Sequence, residues 1–202
     1  MNQPKTAGLY RSVRNCLLAV AILLFAWSVQ AAAQQSLGDI VKEYGFDWLI
    51  SKWMTKTDEG EKILITYKWA LDKHLVTIDY KGGDYEYRSI VFYMPAEDEV
   101  VQVGVDNKGG TWKGTWDAEG DKAVMKVEKT EANGKTEKMV AFLSKVDDQT
   151  MKAELYAVNE SGELADKPLS IQQFKHKDIK TEKKAVEKAS RSSRKKQKEK
   201  KD

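Results

Sequence analysis

The sequence predicts an all-β protein, an up-and-down antiparallel β-barrel of about eight to ten strands, and three observations carry that reading. Apolar residues recur at every second position through most of the chain between residues 48 and 176. Short turn signals separate these alternating runs at regular spacing. No segment between the runs has the length and period of a crossover helix. A flat meander of this size would leave long unpaired edges and one uncovered apolar face, so closure into a barrel is the more stable arrangement.

The elements follow in order. Leu37, Ile40, Val41 and Tyr44 fall on one face of a short helix, with Ser36 placed to cap its start and Gly45 near its end. The period then changes to two. Ile63, Ile65, Tyr67 and Trp69 share one face of a strand; Val76, Ile78 and Tyr80 share the next. Val101, Val103 and Val105 alternate with Gln102 and Asp106, Met125 and Val127 with Lys126 and Glu128, and Met151, Ala153 and Leu155 with Lys152 and Glu154. Each run reads as a half-buried strand, apolar on one side and wet on the other. Turns are marked by Gly82-Gly83, Gly109-Gly110, Gly120, Asn133-Gly134, Asp147-Asp148 and Ser161-Gly162. Asn-Gly tolerates the positive φ that a tight hairpin demands. Ten strands are expected, over about residues 51–57, 62–71, 75–81, 84–94, 99–106, 111–117, 122–130, 135–146, 149–158 and 169–176.

Both ends of the chain differ from this body. Lys5, Arg11 and Arg14 precede a fourteen-residue, largely apolar run from Cys16 to Val29, and Ala31-Ala32-Ala33 follows. A positive start, a short apolar run and small residues at the cleavage positions define a secretory signal. Such a run rises only ~21 Å as a helix, short of a ~30 Å hydrocarbon core. The organisation expected is a signal peptide over residues 1–33, a short helical lead-in over 34–47, a barrel domain over 48–176 and a disordered Lys/Arg-rich tail over 177–202. The expected location is outside the cytoplasm, periplasmic or extracellular. Cys16 is the only cysteine and lies inside the signal, so the processed chain is expected to have no disulfide and no thiolate chemistry.

The formal net charge of +3 conceals an asymmetry. Residues 34–174 hold 18 Lys/Arg against 26 Asp/Glu, whereas residues 175–202 hold 13 against 5. An acidic body carries a basic tail. Arg191, Arg194, Lys195, Lys196 and Lys198 are the tail's candidate contacts with an anionic envelope surface; for an exported protein such a surface is a more accessible partner than nucleic acid.

Aromatic residues are the other candidates. Trp53, Trp69, Trp112 and Trp116 lie on strands with Tyr67, Tyr80, Tyr85, Tyr87 and Tyr93, and Trp112 and Trp116 share a face with Gly114 between them. Two packings are open. The rings fill the bore, each burying ~150–250 Å², or Tyr67, Trp69, Tyr80, Trp112 and Trp116 line a pocket for a small apolar or planar ligand. His74 and His176, the two histidines, are both expected at the surface. No metal site and no cofactor is expected. Asp117 to Asp121 has acids at alternate positions but lacks the full ligand series of a calcium loop, and no catalytic signature is present.

Three motifs carry a resemblance: Trp48-Leu49-Ile50-Ser51-Lys52-Trp53, Tyr67-Lys68-Trp69-Ala70-Leu71-Asp72 and Gly110-Thr111-Trp112-Lys113-Gly114-Thr115-Trp116. Together they resemble an uncharacterised bacterial family of exported, lipocalin-like β-barrel domains, over about residues 46–174. Ser51 stands where such domains usually carry glycine. The resemblance implies a barrel with a central cavity and brings no catalytic residues with it. The function expected is that of a non-enzymatic binding module. The alternative is an envelope-associated structural protein with a filled barrel and a polyanion-contacting tail.

The export reading is checked by N-terminal sequencing of protein from the producing cells. The chain is expected to begin at Gln34 and to lie outside the cytoplasm.

Overall fold

A computed structural model describes residues 35–177. The expected signal peptide and nearly all of the expected tail lie outside the described residues. The fold is all-β: ten antiparallel strands in the order of the chain, closed into one up-and-down barrel. The strands are β1 (Lys52–Lys56), β2 (Lys62–Ala70), β3 (Leu75–Gly82), β4 (Tyr85–Met94), β5 (Glu99–Asp106), β6 (Thr111–Glu119), β7 (Lys122–Thr130), β8 (Thr136–Asp147), β9 (Thr150–Val158) and β10 (Ser170–His176). Each pairs with its neighbours in sequence, and β10 returns to β1.

One helix, α1 (Leu37–Glu43), precedes the barrel. Ser36 and Asp39 start it with a reciprocal capping box, in which Ser36 Oγ accepts from the Asp39 amide and Asp39 accepts from the Ser36 amide. Such a pair satisfies amides that the helix itself cannot. The helix stops at Tyr44 because Gly45 takes a positive φ of 70°, where the sequence places its end. A 3-10 turn, Asp47–Leu49, then leads into β1. Leu37, Phe46 and Leu49 are buried in one cluster with Trp53, Val76, Ala123, Leu143, Met151 and Phe174. Those strand residues belong to the rim where β1, β3, β7 and β9 begin, so the helical lead-in plugs that end. The opposite rim carries the turns at residues 57–61, 83–84, 107–110, 131–135 and 159–169.

Directly paired residues of neighbouring strands point to the same side of a sheet, so the faces are fixed jointly. Pairing of Ile65 with Tyr80, Tyr80 with Tyr87 and Trp116 with Met125 puts the aromatic positions of β2, β3, β4 and β6 inward. In β5 the result reverses what alternation alone implies. Val91 pairs with Gln102 and Gln102 with Gly114, so Val100, Gln102 and Asp106 face inward. Val103 and Val105 are 43% and 59% exposed on the outside, while Gln102 is 1% exposed. Turning the valines inward would drive Trp112 and Trp116 out through the shared register. The tryptophans have the greater apolar area to bury, and they win.

His176 also departs from the surface position its lysine neighbours imply. It is half-buried, pairs with Trp53 across the β1–β10 seam, packs against that ring edge-on at 5.5 Å, and lies 2.5 Å from Ser51 Oγ through Nε2. His74 is exposed at the β2–β3 turn, as expected.

Among the glycines of the described residues, Gly114 lies closest to the backbone of a neighbouring strand. A Cβ added there would meet the Lys126 carbonyl oxygen at 2.0 Å. Since that obstacle is backbone, it cannot rotate away. Gly114→Ala is expected to destabilise the barrel by about 2–4 kcal/mol through forced separation of β6 and β7. Urea unfolding followed by tryptophan emission measures it, with Gly134→Ala, which meets no neighbour but has to hold a φ of +87°, showing the cost of backbone strain without a clash.

Candidate functional site

Position along each strand sorts the inward side chains into levels. At the plugged end, Trp53, Val76, Leu143, Met151 and Phe174 pack on the helical lead-in. Trp69 belongs to this end, partly buried against the same cluster. One level up, the rings of Tyr67 on β2 and Trp116 on β6 meet edge-to-face, with centroids 6.4 Å apart. These strands lie four places apart in a ring of ten, so the contact bridges the bore and forms a floor.

Above the floor the interior changes. Ile65, Tyr80, Tyr87, Trp112, Met139 and Leu155 face inward yet keep partial accessibility. A ten-stranded barrel is wider than the eight-stranded kind whose interior side chains just fill it. The walls are also unequal. Tyr80, Tyr85, Tyr87 and Trp112 line β3, β4 and β6, whereas Met139, Leu155 and Ala157 face inward from β8 and β9. The upper lumen thus has one aromatic wall and one aliphatic wall.

Ring contacts continue around the aromatic wall. Tyr87 tilts against Trp112 at 5.0 Å, and Tyr80 meets Tyr85 edge-on at 5.8 Å. On the floor, Trp116 Nε1 donates to Gln102 Oε1 at 2.6 Å, and Gln102 Nε2 donates to the Tyr87 phenolic oxygen. Ser89, 2% exposed, lies beside Tyr87 and makes no hydrogen bond of good geometry, yet its hydroxyl is near enough to stabilise the Tyr87 phenolate. Burial pushes the Tyr67 phenol far above the usual tyrosine range, and the nearby Tyr87 adds to it. Burial likewise raises Tyr80 and Tyr87; Glu61 pushes Tyr80 further, while the nearby Ser89 hydroxyl and the Gln102 amide moderate Tyr87. These phenols are neutral hydrogen-bonding groups at physiological pH.

At the open rim Asp106 is a buried carboxylate, its side chain 1% exposed. Its Oδ1 accepts from the Gly110 and Lys108 amides at 2.7 and 3.0 Å, and its Oδ2 from Tyr85 Oη at 3.1 Å and Trp112 Nε1 at 3.3 Å. Lys129 Nζ lies 4.0 Å away and over the Tyr85 and Trp112 rings at 5.7 and 5.5 Å. Burial alone would raise the carboxyl's pKa; the backbone amides, then Trp112 and Tyr85, outweigh it and hold it below the ordinary value. With its lone pairs committed, Asp106 fastens the β5–β6 turn and positions Trp112. It is poorly suited to remove a proton from a substrate.

Of the residues singled out by sequence, the structure brings Tyr67 and Trp116 together on the floor and Tyr80 and Trp112 into the upper wall, and leaves Trp69 at the closed end. Arg191, Arg194, Lys195, Lys196 and Lys198 lie outside the described residues. Gln102, Ser89 and Asp106 were not legible as interior groups, because their strands read polar at those positions. The inward register of Tyr87 and Trp112 is the signal that would have found them.

The inversion of β5 also creates a concavity outside the barrel. Phe92, Val101, Val103, Val124, Val140 and Phe142 line an open trough of about 770 Å³ on the outer face. Among the described residues no three metal-ligating side chains gather into a site, and no helix is long and apolar enough to cross a membrane. No protein-family model matches the chain, and no curated protein matches it significantly.

Asp106 supplies a test through pH. Its carboxyl is held below the unfolded value of ~3.9, so its stabilisation is fully present above that pH and is lost as pH falls through the folded value. Asp106→Asn is expected to be less stable than wild type at pH 7, with the gap closing on acidification below about pH 4. Urea denaturation at stepped pH checks this.

Proposed function

We propose that the protein is an exported binding module that admits a small apolar or planar ligand through the open end of its barrel. One observation carries the reading: above the Tyr67–Trp116 floor, aromatic and aliphatic side chains face the lumen without being fully buried. A barrel filled for structural purposes would close over these side chains as it does at the helical end. Apolar surface left accessible inside a concave, one-mouthed space is what a small-molecule site offers. The rings of Tyr80, Tyr87 and Trp112 favour a flat molecule, since stacked and edge-on aromatic contacts add to simple burial. Met139, Leu155 and Ala157 on the other side offer it an aliphatic face.

Export, to a periplasmic or extracellular location, rests on the N-terminal pattern of charge, apolar run and small residues. In that setting the basic tail supplies a weak, reversible, salt-dependent contact with anionic envelope surface, each cation contributing ~1 kcal/mol at best. The binding reading needs no chemistry from Asp106, whose role in holding Trp112 is positional.

Saturable quenching of tryptophan emission by members of a panel of planar apolar molecules is the expected result. Trp112→Phe should weaken the affected affinities about tenfold, because a smaller ring remains and the link to Asp106 is lost. The variant's unfolding midpoint, measured in parallel, separates lost binding from lost structure. Absence of saturable quenching by any member of a broad panel would overturn the reading.

A further inference from the structure

We infer that the ligand carries a neutral carbonyl-type oxygen, received by hydroxyl groups at the floor of the cup; the inference rests on the lumen being a binding site. The argument is a count of hydrogens. An indole N–H can only donate, so the 2.6 Å contact from Trp116 Nε1 fixes the Gln102 side chain with its oxygen toward Trp116. The amide nitrogen therefore faces Tyr87, and the Tyr87 oxygen has to accept. That leaves the Tyr87 hydrogen to be given elsewhere.

Passing it to Ser89 only moves the surplus along. Ser89 Oγ is buried and has no hydrogen bond of good geometry, so its own hydrogen would then lack an acceptor. Tyr67, 8% exposed, adds a third hydroxyl near Tyr87. A buried donor without an acceptor costs free energy. An incoming oxygen atom accepts that surplus hydrogen and, with its second lone pair, has room for another hydroxyl of the floor.

The floor also selects against charge. Its polar groups are an amide, an indole and three hydroxyls, none of them cationic. Lys129 belongs to the rim, held against Asp106 and two rings. A carboxylate lowered onto the floor would lose its hydration with no cation to replace it, whereas a ketone, quinone or amide oxygen would not. The ligand class is thus a flat, mostly apolar molecule with a neutral oxygen acceptor at its leading end.

Fluorene and fluorenone share one planar skeleton and differ by that oxygen. With the full-length protein, calorimetric titration is expected to show fluorenone binding roughly tenfold more tightly than fluorene. Tyr87→Phe keeps the ring and removes the hydroxyl, and should shrink the preference to about twofold or less. Because this variant also strips Gln102 of a partner and can unfold the chain, the wild-type complex gives a second reading. The carbonyl stretch of bound fluorenone should move to lower wavenumber than in an apolar solvent. Equal affinities for the two molecules, or an unshifted carbonyl band, would overturn the inference while leaving the lumen as a binding site. Binding of neither would overturn it as well, and the broader quenching panel then decides whether the lumen reading falls too.

Discussion

Everything inside this protein depends on the junction between its first and last strands. β1 and β10 meet over only two paired positions, Trp53 with His176 and Met54 with Lys175, the shortest pairing in the barrel. Other contacts extend that seam beyond the ladder. The Lys177 amide donates to the Lys52 carbonyl at 2.8 Å, and Ser51 Oγ meets His176 Nε2. The Trp53 indole donates to the Leu49 carbonyl at 3.1 Å, and Trp48 packs on that ring edge-on. Closure removes the two free edges that a ten-stranded meander would otherwise present to other chains. It is also long-range: residues at opposite ends of the domain have to meet before the bore exists, an entropic cost that local hairpins do not bear.

Once closed, the barrel has a defined inside, and its contents follow from a competition over β5. Shared register makes the faces of β4, β5 and β6 one decision. Inward tryptophans bring Gln102 and Asp106 inward with them, and both polar groups are then satisfied by the residues that displaced the valines: Trp116 and Tyr87 for Gln102, Trp112 and Tyr85 for Asp106. The outer trough is the complement of the same decision, since Val101 and Val103 on that face find Phe92, Val124, Val140 and Phe142 beside them. Floor, aromatic wall and outer trough are therefore coupled features of one register.

Much of this architecture is legible in the sequence. All ten strands fall within one or two residues of where alternation and turn signals place them, because alternation is local and a closed meander needs only local turns. What local pattern cannot supply is the face of a strand whose two sides are nearly balanced. β5 offers valines on one side and Val100, Gln102, Gly104 and Asp106 on the other, and only its neighbours decide. His176 is misleading for a related reason. Its lysine neighbours read as surface, but β10 ends against β1, a partner more than a hundred residues away in the chain. The site follows the same division: its rings were visible as aromatic residues on strands, while the amide and hydroxyls between them became visible only with the register.

The seam has one more consequence, for orientation in space. Ser36 and Lys177 both belong to the plugged rim, the first through α1 and its contact near Lys73, the second through its bond to Lys52. Chain therefore enters and leaves the barrel at the closed end, and the mouth is at the other pole. A support that holds the protein at Ser36 or at Lys177 grips its base, and the open rim faces away from it.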